Sequence, residues 1–111
     1  MFTIGSVTAV DSKSEAIPDK FALLQNFPNP FNPETCIVYQ IPTSSFVHLA
    51  IYNLLGEKVK QMVEEQKQPG EYSVIWDGKD DDGKRVSSGI YIYQLCVEEK
   101  VTFNRRLLFL K

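Results

Sequence analysis

The run Asp77-Gly78-Lys79-Asp80-Asp81-Asp82-Gly83-Lys84 gathers the densest set of carboxylates in the chain. Calcium takes roughly six to eight oxygen ligands, and closely spaced aspartates ending in glycine are one way to supply them. Asp77, Asp80 and Asp82 are therefore the metal candidates. The run is not an EF-hand loop, because its acidic positions and closing residue depart from that pattern. Asp and Gly also suit tight turns, through side-chain-to-backbone bonds and positive φ. The turn reading is preferred, and no metal or other cofactor is expected.

Other chemistry is thinly supplied. His48 is the single histidine, so any triad or His-activated nucleophile would have to use it. No spacing ties it to Ser44, Ser45, Ser73, Ser87 or Ser88. Paired carboxylates for glycoside hydrolysis are also lacking, since the acids cluster in turns and edge positions. Cys36 and Cys96 have no Cys-x-x-Cys spacing, which excludes a zinc site. The expected protein is not an enzyme.

These residues must be positioned by strands. Thr35 to Ile41 is β-branched and aromatic and stops at Pro42, and Phe46 to Tyr52 alternates with Val47, Leu49 and Ile51 on one face. His48 is expected on the opposite, exposed face. Glu57 to Val63 returns after the Asn53-Leu54-Leu55-Gly56 turn with the charges of an edge strand. Val59, Met62 and Val63 also have helical spacing, so a helix over Glu57 to Gln68 is the competing assignment. Tyr72, Val74 and Trp76 share a face, with Trp76 at the core. Ile90 to Val97 and Val101 to Leu110 are the last two strands, and Tyr91 and Tyr93 close the core with their hydroxyls at its rim. Gly56, Gly70 and Gly89 sit where positive φ or close approach is expected.

Before these strands, Phe27-Pro28-Asn29-Pro30-Phe31-Asn32-Pro33 forbids helix and removes ladder donors. It is read as a packed connection, with Phe27 and Phe31 pinning it onto the core, rather than as a ligand for a proline-recognising domain. Short strands with turn signals every ~8–12 residues predict an all-β sandwich.

At 111 residues the chain has room for one core. Residues 1–19 are expected to be a linker or lead-in, with one short strand over Ile4 to Val10, and residues 20–111 the folded domain. A formal net charge of -2 gives no basic face for nucleic acid or an anionic membrane. No run reaches the ~18 apolar residues of a membrane span. The first residues have no basic region followed by an apolar one, so they do not read as a signal peptide.

The order of motifs resembles a known family. Leu24-Gln25-Asn26-Phe27-Pro28-Asn29-Pro30-Phe31-Asn32-Pro33-Glu34-Thr35, Val47 to Gly56, Tyr72-Ser73-Val74-Ile75-Trp76-Asp77-Gly78 and Ser88-Gly89-Ile90-Tyr91-Ile92-Tyr93-Gln94-Leu95 are similar to successive motifs of the C-terminal sorting domains of the type IX (Por) secretion system. The related Ig-like domain of flagellar hook-capping proteins carries the same signature. The resemblance implies an immunoglobulin-like β-sandwich of about seven antiparallel strands, in which Asn29, Pro30, Phe31, Asn32, Pro33, Gly56, Trp76, Asp77, Gly78, Gly89, Tyr91 and Tyr93 are structural motif residues. It further implies a larger N-terminal cargo, secretion-machinery proteins at the outer membrane as partners, and a destination outside the cell or at its surface, by way of the periplasm. Arg105, Arg106, Leu107, Leu108, Phe109, Leu110 and Lys111 are then the secretion-signal candidates, as a basic-then-apolar terminus open to β-augmentation at a sheet edge. On that reading Lys111 closes a larger precursor. The alternatives are a retained structural Ig-like module, as in a hook cap or surface filament, and an accessory domain of a secreted enzyme.

Antibody-type domains join their sheets by a disulfide, but the alternation here argues against one. With Ile37, Tyr39 and Ile41 inward, Cys36 faces out. With Tyr91, Tyr93 and Leu95 inward, Cys96 faces out too. Outer faces of packed sheets lie more than ~10 Å apart, while a disulfide needs Cα atoms ~4.4–6.8 Å apart. Two free thiols are expected.

Overall fold

The computed structural model describes residues 18–110, so the lead-in over residues 1–19 lies almost wholly outside the described residues, as do the short strand at Ile4 to Val10 and Lys111. Seven strands follow: β1 (Ala22–Leu23), β2 (Thr35–Ile41), β3 (Ser45–Tyr52), β4 (Lys58–Lys67), β5 (Gly70–Trp76), β6 (Gly89–Val97) and β7 (Val101–Phe109). They form two antiparallel sheets, ordered β1-β2-β5 and β4-β3-β6-β7. This is an Ig-like β-sandwich.

The period of two decides what lies between the sheets. Ile37, Tyr39 and Ile41 of β2 are fully buried, as are Val47, Leu49 and Ile51 of β3 and Tyr93 and Leu95 of β6. Leu107 and Phe109 of β7 and Trp76 at the end of β5 complete that core. The outward residues of the same strands include Cys36 and Cys96, which are free and sit on different sheets. His48 also lies on the outer face, but half-buried rather than exposed, beside Cys96 of β6 and Glu64 of β4.

Strand β4 settles the helix-like spacing of Val59, Met62 and Val63. Its register against β3 slips twice, skipping Met62 at the Leu49–Ala50 step and Val59 at the Ile51–Tyr52 step. Each bulge breaks the period of two. All three side chains therefore pack on the core from a single strand, Val63 buried and the others partly so. A strand with two bulges presents apolar residues as a helix would, which is why periodicity alone left both assignments open.

Two tyrosines make the interior pH-sensitive. Burial pushes Tyr39 up to about 12, helped by the neighbouring Tyr72 and Glu65. Burial also pushes Tyr93 up to about 12, against the opposing effects of a backbone hydrogen bond from Asn26 and the Arg105 charge. The Tyr93 hydroxyl donates to the Leu24 carbonyl at 2.6 Å, whereas the buried Tyr39 hydroxyl has no hydrogen-bond partner among the described residues.

Both groups have folded pKa values above the unfolded value of ~10. Stability from them is complete below pH ~10 and declines towards pH ~12, where the unfolded chain has lost protons that the fold retains. Denaturant melts across this window should show that decline. Tyr39→Phe should cost little at neutral pH, because it removes an unsatisfied hydroxyl, and should make the alkaline decline shallower. An unchanged alkaline slope in the variant would contradict this account of Tyr39.

Candidate functional site

The four-stranded sheet ends in β4 on one side and β7 on the other, edge strands whose outer N–H and C=O groups need partners, and two sequence motifs supply partners to them. The first is the Asn-Pro loop. Its base is a buried polar knot: Asn26 donates through Nδ2 to Thr35 Oγ1 at 2.9 Å and to the Pro28 carbonyl at 3.2 Å, and Thr35 Oγ1 donates to the same carbonyl at 2.8 Å. From there the loop runs along the outside of β7. The Leu108 N–H donates to Asn29 Oδ1 at 2.9 Å, and the Phe31 N–H donates to the Leu108 carbonyl at 3.0 Å. The Leu110 N–H donates to the Phe31 carbonyl at 3.1 Å, and Gln25 Nε2 donates to the Arg106 carbonyl at 2.8 Å. Arg105 Nε donates to the Leu23 carbonyl.

The loop thus caps the edge of β7 from residue 106 to residue 110. This corrects two expectations. The apolar half of the last strand is not an open edge for β-augmentation, because its outward backbone groups are already paired. Phe27 does not pin the loop either: it is 79% exposed, while Phe31 is 2% exposed and supplies the anchor alone.

The anchor is aromatic. The Phe31 ring stacks on Phe109 at 4.9 Å between centroids and tilts against Trp76 at 5.5 Å, and Tyr91 meets Trp76 edge-on at 5.6 Å. Such pairs contribute ~0.5–1.5 kcal/mol each beyond area burial. The fully buried Trp76 donates through Nε1 to the Lys79 carbonyl at 2.9 Å, which ties the aspartate loop to the same cluster.

That loop is the second cap. The Asp81 N–H donates to the Val59 carbonyl at 3.1 Å, and the Gln61 N–H donates to the Asp81 carboxylate, also at 3.1 Å. Both partners lie at the bulges of β4. Asp80 Oδ1 accepts the N–H groups of Asp82 and Lys84, each at 2.9 Å, and Asp77 Oδ1 accepts that of Lys79 at 3.2 Å. These carboxylates organise their own turn. Among the described residues, no group of three or more His, Cys, Asp or Glu is gathered in a way that could hold a metal ion.

The secretion-signal candidates divide between two faces of β7. Leu107 and Phe109 are buried, at 1% and 0% exposure. Arg106 and Leu110 are exposed and Leu108 is half-buried, all on the outer face of the sheet. Beside them on β6 stand Ile90 and Ile92, and a shallow depression lined by Asn29, Ile90, Arg106, Leu107 and Leu108 lies between. Arg105 is on the other side, against β1. No single sequence signal pointed to the capping by Asn29 or Asp81. An Asn before proline and an Asp in a turn both promise a backbone partner, but the partner strand is distant in sequence.

Gly78 carries a close approach that the sequence did not show. Its φ is +77°, and a Cβ there would lie 2.9 Å from Cζ of Phe109. Gly83, at φ +82°, has open space around its Cβ position. Gly83→Ala should therefore cost only the left-handed backbone penalty, ~1–2 kcal/mol. Gly78→Ala adds a clash with a fully buried ring and should cost ~1–3 kcal/mol more. Equal losses in denaturant melts would mean that the Phe109 contact is slack.

A profile of the FlgD Ig-like domain family matches residues 36–100, more than half of the chain. No curated protein matches. Among solved structures, dimeric latent PorU from Porphyromonas gingivalis is similar over 98% of this chain and 10% of its own, with a TM-score of 0.65 and 15% identity. PorZ, an essential bacterial surface component of the type-IX secretion system of the same organism, is similar over 90% of this chain and 13% of its own, at TM-score 0.54 and 20% identity. FlgD from Xanthomonas campestris, a hook-capping protein of flagellar assembly, is similar over 83% of this chain and 63% of its own, at TM-score 0.53 and 23% identity. The chain thus spans about a tenth of PorU and of PorZ and less than two thirds of the hook-capping protein. The chain belongs to the FlgD Ig-like domain family, whose fold is structural and non-enzymatic.

Proposed function

We propose that this FlgD-type Ig-like domain is a non-catalytic sorting module, directing a larger exported protein through an outer-membrane secretion machine to the cell surface. The observation that carries the reading is the last strand. Arg106, Leu108 and Leu110 are displayed on an outer sheet face, while the strand's alternate residues and one edge lock it into the domain. A signal held in this way is presented by folding itself. The motif order from Leu24 to Leu95 and the likeness of the whole domain to parts of PorU and PorZ support the same reading. Residues 1–19 then serve as the connection to the cargo, and the partners are secretion proteins on the outer membrane. The weak calcium candidates Asp77, Asp80 and Asp82 have no part in it.

A second reading, a permanently retained structural module of an extracellular assembly, is favoured by the family match itself. The two separate in one experiment. A reporter carrying a periplasmic export signal is fused to residues 1–111 in a bacterium that has the type IX system. Sorting predicts reporter at the cell surface or in the medium, and reporter retained in the periplasm when the system is disabled. Periplasmic retention in both strains would reject sorting and leave the structural module. Deleting Arg105 to Lys111 is a poor control, since it removes Leu107 and Phe109 from the core and unfolds the domain.

A further inference from the structure

The outer face of the β6–β7 pair carries a run of apolar side chains. Ile90 is 43% exposed and Leu110 46% exposed, with Ile92 and Leu108 half-buried between them. Residues that fold as strands normally leave such positions polar when one sheet face meets water. Arg106 sits within this apolar stripe, paired in register with Ile92, and makes no ion pair among the described residues. The chain as a whole is acidic, at a formal net charge of -2, yet β6 and β7 contain no Asp or Glu, and Arg106 is the one charged residue this pair turns to its outer face. The local charge of this face is therefore opposite to the net charge of the molecule.

We infer that the stripe formed by Ile90, Ile92, Arg106, Leu108 and Leu110 docks a protein partner whose surface is apolar and bears a carboxylate opposite Arg106. This rests on the sorting reading and specifies what the secretion partner recognises: side chains on a folded sheet, not an extended tail and not a strand edge. The edge is closed at this end because Gln25, Asn29 and Phe31 take up the Arg106 and Leu108 carbonyls and the Leu108 and Leu110 N–H groups. A second copy of the chain is the wrong partner on charge. A two-fold contact across this stripe would set one Arg106 against the same basic face of the other copy. The depression beside Leu108, which Asn29 and Ile90 also line, has room for one inserted side chain.

The test uses the full reporter fusion, with the purified domain checked alongside. Leu108→Ser with Leu110→Ser, and separately Arg106→Glu, change the stripe. Thr102→Pro changes the outward edge of β7 at its other end, where proline is tolerated. Expected is a drop of about tenfold or more in surface reporter for both stripe variants, the loss of a typical interface hot spot. Their melting temperatures should stay near that of the unmodified domain, and Thr102→Pro should export normally. Normal export of the stripe variants, or a block by Thr102→Pro alone, would overturn the face in favour of another surface or of edge pairing. A purified domain that dimerises, and becomes monomeric with Leu108→Ser and Leu110→Ser, would also overturn it, by assigning the stripe to a second copy. If even the unmodified fusion stays in the periplasm, the sorting reading itself fails, an outcome distinct from the others.

Discussion

The contact of Phe31 with Phe109 and Trp76 is the constraint on which the rest of the molecule depends. Three distant pieces of chain meet there: the proline-rich loop before β2, the end of β5 and the end of β7. Burying three aromatic rings at one end of a sandwich is strongly favourable, at ~25 cal/mol per Å² of apolar surface. The geometry that buries them leaves little freedom nearby. Trp76 must turn its indole N–H to the Lys79 carbonyl, Gly78 must lack a side chain beneath Phe109, and the loop must run close beside β7. Motifs far apart in sequence are thus parts of one contact.

Edge protection follows from that contact. A sandwich of this kind exposes unpaired strand edges, and natural sheets cover or blunt them. Here one polar motif serves each side. The Asn29 amide and the Phe31 backbone act as a short parallel strand along β7, and the Asp81 carboxylate and N–H take up groups of β4 where its bulges have bent it. The remaining edge of β7, around Thr102 and Asn104, is polar and exposed. On the proposed sorting reading, with the apolar end of β7 closed along its edge, recognition falls to the side chains that the sheet turns outward.

The strands were legible because their residues alternate. Thr35–Ile41 coincides with the run read from β-branched and aromatic residues, and the outward parity of Cys36 and Cys96 follows directly from Ile37 and Leu95. The long-range contacts were not legible in this way. Phe27 and Phe31 look alike between prolines, and only the course of the loop separates an exposed ring from a buried one. The seven terminal residues read as one basic-then-apolar block, but pleating divides them, so Leu107 and Phe109 serve the core and Arg106, Leu108 and Leu110 serve the surface. The bulges of β4 hid for the opposite reason. They restore on one strand a spacing that sequence alone ascribes equally to a helix.

A double-mutant cycle between Phe31 and Phe109 tests most directly whether the loop and the last strand are held by one contact. Phe31→Leu, Phe109→Leu and the double variant would be compared by denaturant melts, with the amide exchange of Leu108 and Leu110 followed in each. A shared contact predicts a coupling energy of ~1 kcal/mol, and faster exchange at both amides when Phe31 alone is replaced. Additive losses to within ~0.3 kcal/mol, with both amides still protected in Phe31→Leu, would show that the loop is held independently of the ring stack.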